Sequence, residues 1–313
     1  MRVAITGASG FVGSCVATCL VRRGYDVVGF GRRPRSGLAA PFRSYKQWDI
    51  SAGPIAIDHF DGVVHCAAQV GQWGPRSVYE SVNVGGTRSV LETFQRTPRF
   101  VHISTASVYA LDQSTVKIPE DARVGEPLLT DYARTKAEAE QILAASGRPV
   151  IILRPHVVYG PGDATLLPRV LAARRFGRFP LPGNGRNRIS VSSVFNLALA
   201  VELALESVDP SGVFNVADEE EPTIEEMLRT TLRRHGVGDR LLHIPHWAAR
   251  TLAAVNEGVW RAARISSEPT LTRYAVAHLA ESFTLDVACA RARLGYSPPW
   301  TFRDAPLSLA DLE

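Results

Sequence analysis

The sequence is short of the residues that staple a fold or span a bilayer. Its 313 positions hold four cysteines (Cys15, Cys19, Cys66 and Cys289), with no C-x-x-C pair among them. That excludes a disulfide framework and fits reduced thiols in a cytoplasmic protein. Cys15 and Cys19 lie one helical turn apart and read as two small core-facing residues. No run approaches 18 uninterrupted apolar residues, so no membrane-spanning helix is expected. The opening MRVAITGASGFVG has too short an apolar run, and too much glycine, for a signal peptide. Charge of one sign is scarce too: 35 basic against 31 acidic residues leave a formal +4, and the arginines are dispersed. Such an excess slightly favours small anions and makes no case for nucleic acid. His243 and His246 flank Ile244-Pro245 in a loop-like stretch with no cysteine or carboxylate set nearby, so no metal site is expected.

What is present is an ordinary globular composition, 45% hydrophobic and 21% charged, in a chain long enough for a large domain with an attached lobe. Short β-branched runs alternate with helical patterns from the start. Strands are expected at Arg2–Thr6, Asp26–Phe30, Gly62–Cys66, Phe100–Ser104, Val150–Arg154 and Val213–Val216, with a first helix over Gly13–Arg23. Nearly continuous apolar runs of this length suit a parallel sheet covered on both faces. The expected fold is therefore α/β, a doubly wound parallel sheet of the Rossmann kind. From about Leu166 the alternation fades, and Phe179–Ser190 reads as a loop punctuated by Gly and Pro. We divide the chain into a dinucleotide-binding domain, 1–165 with 190–216 returning to it, and a smaller, mainly helical substrate lobe, 166–189 and 217–313. Such a lobe would sit over the carboxyl ends of the strands, where open α/β sheets bind ligands.

Gly7, Gly10 and Gly13 stand between the first strand and first helix. Their spacing suits a tight turn, close backbone approach to a pyrophosphate, and close helix packing. The helix N-terminus adds free N–H groups for phosphate, with Ser9, Phe11 and Val12 around it. At the end of the second strand, where NAD-binding folds usually carry a carboxylate, stand Arg32 and Arg33. Two guanidinium forks suit a 2′-phosphate, so NADP(H) is expected, with NAD(H) left open if this is only a solvated basic loop. Asp49, Ile50, Ala67 and Ala68 would border the adenine and ribose.

Tyr132 and Lys136 share a face of a helix running to about Ala145. A phenol is a poor base near neutrality, and an adjacent ammonium would lower its proton affinity into working range. Thr105, at the end of the fourth of the expected strands, can hydrogen-bond a substrate carbonyl oxygen, with Ser104 and Ser107 as alternatives. These three features occur in the order a hydride-transfer enzyme needs.

On TGASGFVG (Thr6–Gly13), NVGGT (Asn83–Thr87), STASVY (Ser104–Tyr109), YARTK (Tyr132–Lys136) and LRPHVVYGPGD (Leu153–Asp163), the chain resembles the extended short-chain dehydrogenase/reductases, the NAD(P)-dependent epimerase/dehydratase group. The resemblance implies Tyr132 as general acid/base, Lys136 as its tuner and ribose ligand, and Thr105 as the substrate-oxygen ligand. It adds Pro155 and Val158 to the cofactor set. Ala106-Ser107 replaces the Asp-Glu of sugar-nucleotide dehydratases, and Val157 replaces an asparagine usual in sugar-nucleotide enzymes. Gln69–Pro75, His156, Ser266–Tyr274 and Phe283–Pro298 look more like the 3β-hydroxysteroid dehydrogenase-like branch. That branch implies a ketone/secondary alcohol oxidoreductase on an apolar or extended small molecule, with a nucleotide-sugar epimerase or reductase as the alternative. Gln69, Trp73, Ser107, His156 and Arg188 are the candidate substrate contacts. The stretch Ala248–Ala263 has three readings: pocket wall beside Trp73, Trp247 and Trp260, core-facing amphipathic helix, or membrane-associated helix. The resemblance also allows a homodimer through the Tyr132-bearing helix and its neighbour.

Overall fold

The computed structural model describes residues 1–34, 42–128, 130–163, 166–175, 177–209, 211–263, 265, 267, 269 and 271–311. Positions 164 and 165, at the expected domain boundary, lie outside these, as do 266, 268 and 270 of the Ser266–Tyr274 stretch.

In chain order, the first half runs β1 (Arg2–Thr6), α1 (Phe11–Arg22), β2 (Asp26–Gly31), β3 (Ser44–Gln47) and β4 (Gly62–His65). A long helix follows, α2 (Arg76–Tyr79) widening into a π-helical stretch at Glu80–Gly85 and continuing as α3 (Gly86–Thr93). Then come β5 (Arg99–Ile103), α4 (Asp131–Ala145), β6 (Ile151–Pro155) and β7 (Val158–Tyr159). The remainder contains α5 (Leu166–Ala172), β8 (Phe179–Pro182), β9 (Ser192–Ser193), α6 (Val194–Glu206) and β10 (Gly212–Val216). It ends with α7 (Ile224–Arg234), β11 (Leu241–Ile244), α8 (His246–Ala262), α9 (Arg273–Ala280) and α10 (Ala288–Leu294).

Seven strands form one sheet in the order β10-β6-β5-β4-β1-β2-β3, every pair parallel. This is the doubly wound Rossmann arrangement, whose strand order reverses between β1 and β4 and opens a crevice at their carboxyl ends. The β-branched runs anticipated it because both faces are dry. Val3, Ile5, Val64 and Leu153 pack with residues of α1 and α6 on one side. Val63, Val90, Phe94 and Leu143 close the other.

Two expectations need correction. Ser44–Gln47 adds a seventh strand that its polar sequence concealed; as the sheet edge it needs no apolar face. Phe179–Pro182 is a strand rather than a loop, pairing in parallel with β11. A two-stranded sheet has no central strand, which is where proline is excluded.

Candidate active site

The glycine loop is built by contact. Gly7 has φ +70°, and a Cβ there would stand 2.6 Å from the Ala67 backbone nitrogen. A Cβ on Gly13 would come within 2.3 Å of the Gly7 carbonyl oxygen. No side chain larger than hydrogen fits either place, so the loop, the start of α1 and the end of β4 touch through backbone alone. The N-cap of α1 is Gly10, without a side-chain cap or a first-turn acid. Its first N–H groups and its dipole therefore face the crevice uncompensated by the chain's own carboxylates. The cradle fits a pyrophosphate.

Beside it, β3 fixes the end of β2. Tyr45 Oη donates to the Arg33 carbonyl at 2.7 Å, and Gln47 Nε2 to the Arg32 carbonyl at 2.9 Å. The Arg33 guanidinium in turn donates to the Ser9 carbonyl at 2.6 Å. Both arginines are exposed, at the rim of the loop. Asp49 is committed elsewhere: its Oδ1 accepts from the Ser51 backbone and hydroxyl at 3.0 and 2.7 Å, and this holds its carboxyl below the usual range. Ile50 is buried against Gly86. Phe11, Val12 and Val158 are half-buried around the first turn of α1, and Pro155 is buried at the end of β6.

One strand further on, hydroxyls gather beyond β5. Thr105 caps a short 3-10 turn, its Oγ1 accepting from the Ser107 backbone at 3.2 Å and donating to Ser107 Oγ at 3.2 Å. Ser107 Oγ lies 3.3 Å from Tyr274 Oη of the lobe. Burial raises the proton affinity of Tyr132, the nearby Tyr274 adds to it, and a hydrogen bond with Thr105 opposes it. At neutral pH the phenol keeps its proton. Ser104 is excluded as an alternative, because its hydroxyl donates into the buried Glu140–Arg154 pair.

Lys136 departs from expectation. Its Nζ lies 2.9 Å from His102 Nε2 and donates to the Ile103 carbonyl at 2.7 Å, in a site 2% exposed. Burial pulls its proton affinity down to about 8, against the pull of Glu140 and Cys66. The expected effect of Lys136 on Tyr132 is absent from this arrangement, because the ammonium is turned into the floor of the sheet.

The substrate candidates divide. Gln69 is held by its main chain, which donates to Asn83 Oδ1 at 2.7 Å and accepts from Asn83 Nδ2 at 3.1 Å. Asn83 sits in the π-helical stretch and also donates to Thr135 Oγ1 at 2.9 Å, tying this loop to α4. Trp73 Nε1 donates to the Ile265 carbonyl at 3.1 Å, and Gln72 Oε1 accepts from Thr272 at 3.0 Å. The loop after β4 is thus stitched to the lobe above the hydroxyls. His156 does not join them: it is 3% exposed, bonded to the Ser190 carbonyl at 3.0 Å and packed on Phe283 at 4.4 Å. It is a core residue because Ser190 and Phe283, remote in sequence, wall it in. Arg188 reaches the Glu221 carbonyl at 2.8 Å and serves the lobe's own seam. Nor are His243 and His246 a loop pair; His243 lies within β11, its Nδ1 3.1 Å from the Gly183 carbonyl.

The model of the NAD dependent epimerase/dehydratase family matches residues 3–217. The chain belongs to that family. It is 31% identical to a 2-alkyl-3-oxoalkanoate reductase of Stenotrophomonas maltophilia, covering 95% of each chain. It is 29% identical to a 3 beta-hydroxysteroid dehydrogenase/Delta 5-->4-isomerase of Mycobacterium tuberculosis, covering 97% of this chain and 88% of that one. The fold is shared with a UDP-glucuronic acid 4-epimerase of Bacillus cereus solved with NAD, at a TM-score of 0.72 and 22% identity over 97% and 95% of the two chains. As a member of this family with reductase and dehydrogenase relatives, the protein is an NAD(P)-dependent oxidoreductase acting on CH–OH and C=O groups. Among the described residues, no helix is long and apolar enough to cross a membrane.

Proposed function

We propose that this epimerase/dehydratase-family member is an NADP(H)-dependent reductase of a ketone carried on an apolar or extended small molecule. The gathering of the Thr105 and Ser107 hydroxyls with Tyr132 beyond β5, one strand from the crevice, carries this reading. Gly7, Gly10, Gly13 and the first turn of α1 would hold the pyrophosphate, with Arg32 and Arg33 at the 2′-phosphate. Asp49, Ile50, Ala67 and Ala68 would border the adenosine, and Pro155, Val158 and Lys136 the nicotinamide end. Bound NADPH supplies the hydride. Thr105 and Ser107 orient the ketone oxygen, and Tyr132, a phenol that holds its proton at neutral pH, donates that proton to it. Carbonyl plus hydride plus proton gives the secondary alcohol.

An apolar substrate is supported by the names of the relatives, an alkyl-oxoalkanoate reductase and a hydroxysteroid dehydrogenase. It is further supported by Val157, which has φ +42°. Asparagine tolerates that backbone better than valine, so the polar residue usual in sugar-nucleotide enzymes has been given up at a place that suits it.

Parallel calorimetric titrations with NADPH and NADH test the cofactor half. Tighter NADPH binding, weakened in Arg32→Ala and Arg33→Ala, is expected; tighter NADH binding would favour an epimerase that retains its cofactor. For the chemistry, Tyr132→Phe should lower the turnover of a 3-oxoalkanoate panel by about 10²–10⁴ while leaving NADPH affinity intact. Unchanged turnover would remove Tyr132 from the mechanism.

A further inference from the structure

Beneath the hydroxyl cluster lie three buried nitrogen bases from three elements: His65 of β4, His102 of β5 and Lys136 of α4. They are 1%, 0% and 2% exposed, and the two imidazoles are 5.0 Å apart. His65 is fully engaged, with Thr6 Oγ1 at 2.8 Å on Nδ1 and Thr87 Oγ1 at 3.1 Å on Nε2. His102 is not. Its Nε2 meets Lys136 Nζ, while its buried Nδ1 has no hydrogen-bond partner among the described residues. A buried imidazole with one nitrogen orphaned is costlier than the leucine or phenylalanine that would fill a strand interior, and such an exception calls for a role.

We propose that His102 is a positioning residue for Lys136, a buried imidazole acceptor that holds the ammonium against the floor of the site and sets how firmly it keeps its proton. The inference rests on the reading above that Lys136 stands at the nicotinamide end of the site. An ammonium presents three donors and no acceptor. One goes to the Ile103 carbonyl and one to His102. The other charged or titratable groups near this nest cannot replace the imidazole. Glu140 is bound to Arg154 of β6 and to Ser104. Cys66, at the end of β4, keeps its thiol proton because burial pushes it up to about 12. His65 has both nitrogens on threonines and is pushed by burial down to about 3, and burial with the charge of Lys136 holds His102 well below its usual value. Both imidazoles are therefore neutral, and the nest carries the single positive charge of Lys136. With its Nδ1 protonated and orphaned, His102 offers Nε2 as the acceptor.

The test reads the nest directly, without a substrate. In the ¹⁵N-histidine-labelled full chain, His102 should stay neutral from pH 5 to 9 with its proton on Nδ1, and Lys136→Met should move its Nε2 resonance. In ¹³Cε-lysine-labelled protein, His102→Leu should lower the midpoint of Lys136 by about one pH unit, the worth of a hydrogen bond to a charged group. His102→Gln, which keeps an amide acceptor, should return it toward the wild type. A proton on Nε2, or one Lys136 midpoint shared by wild type and His102→Leu, overturns the proposal. If His102→Leu does not fold, the tautomer and the Lys136→Met response decide. In a turnover assay the alkaline limb of the pH profile should fall with the Lys136 midpoint, whereas loss of packing alone would lower the rate at every pH. Loss of the Tyr132→Phe effect would instead sink the catalytic reading and leave these spectra unchanged.

Discussion

The sheet and the lobe treat burial in opposite ways. In the sheet, Val3, Ala4, Ile5, Val63 and Val64 are wholly buried, and even charge is taken inside, as the Arg154–Glu140 pair 2.6 Å apart. The lobe contains the two-stranded pair β8–β11, and its longest helix, α8, buries Ala249, Ala253 and Glu257 alone. The outer side of α8 leaves Trp247 73% exposed, with Leu252, Val255 and Val259 more than half exposed. The floor beneath the glycine loop and Tyr132 is close-packed. The wall formed by α8 is thin.

Mutation of ion pairs should sharpen this contrast most. Glu140→Ala leaves Arg154 buried and unpaired and also strips a partner from Ser104, so a loss of about 3–5 kcal/mol in denaturant unfolding is expected. Removing the lobe's Asp239, paired with the mostly exposed Arg233 at 2.6 Å and with Arg229 at 3.5 Å, should cost far less in Asp239→Ala, because water screens an exposed pair. Equal losses would erase the distinction between floor and wall.

Acid tests both regions at once. An unfolded histidine takes up a proton below about 6.5, whereas burial keeps His65 and His156 neutral to about 3 and His278 to about 4, with His102 shifted the same way. Through that window the unfolded chain binds more protons, so stability is present above pH 6.5 and is lost as pH falls. For the fully buried His65, His102 and His156, the loss at pH 5 is about 2 kcal/mol each. Asp218 acts in the opposite sense. Burial raises it to about 6, so its folded form gains a proton first and recovers about 1 kcal/mol by pH 5. The thermal midpoint should therefore fall clearly between pH 7 and pH 5. A flat profile would mean that the histidines are hydrated, and would break the dry-floor picture.

The same division governed what the sequence disclosed. Strands covered on both faces announce themselves as apolar runs, so β1, β2, β4, β5, β6 and β10 were legible; β3, with one free edge, and β8, with two prolines, were not. In the site, the glycine spacing and the placement of Tyr132 and Lys136 one turn apart on α4 are local patterns and could be read, whereas the direction of the Lys136 ammonium could not. Contacts between distant residues could not. His102 meets Lys136 across 34 residues, Asn83 meets Thr135 across 52, and Ser107 meets Tyr274 across 167. His156, a substrate contact in the resemblance reading, is a core residue in the structure, and its partner Ser190 lies 34 residues on. Asn83 did stand within a recognised motif, and that motif was the available signal for its clamp.

The smallest effect should come from α8, and its size discriminates among the three readings of that helix. Its inward face is alanine and a glutamate fixed by Arg273 at 2.9 Å, so the helix is held by few large contacts. Leu252 and Val255 point away from that face, 56% and 61% exposed. If they cover nothing, Leu252→Ser and Val255→Ser should each shift unfolding by no more than about 0.5 kcal/mol, the range of ordinary surface changes. A loss of about 2 kcal/mol or more would mean that this side is buried in solution by another surface. The core-facing reading applies to Ala249 and Ala253 alone, and Ala253→Leu, forced into a fully buried position, should cost about 1–3 kcal/mol. The ratio of these two losses measures how much of the lobe's longest helix belongs to the core at all.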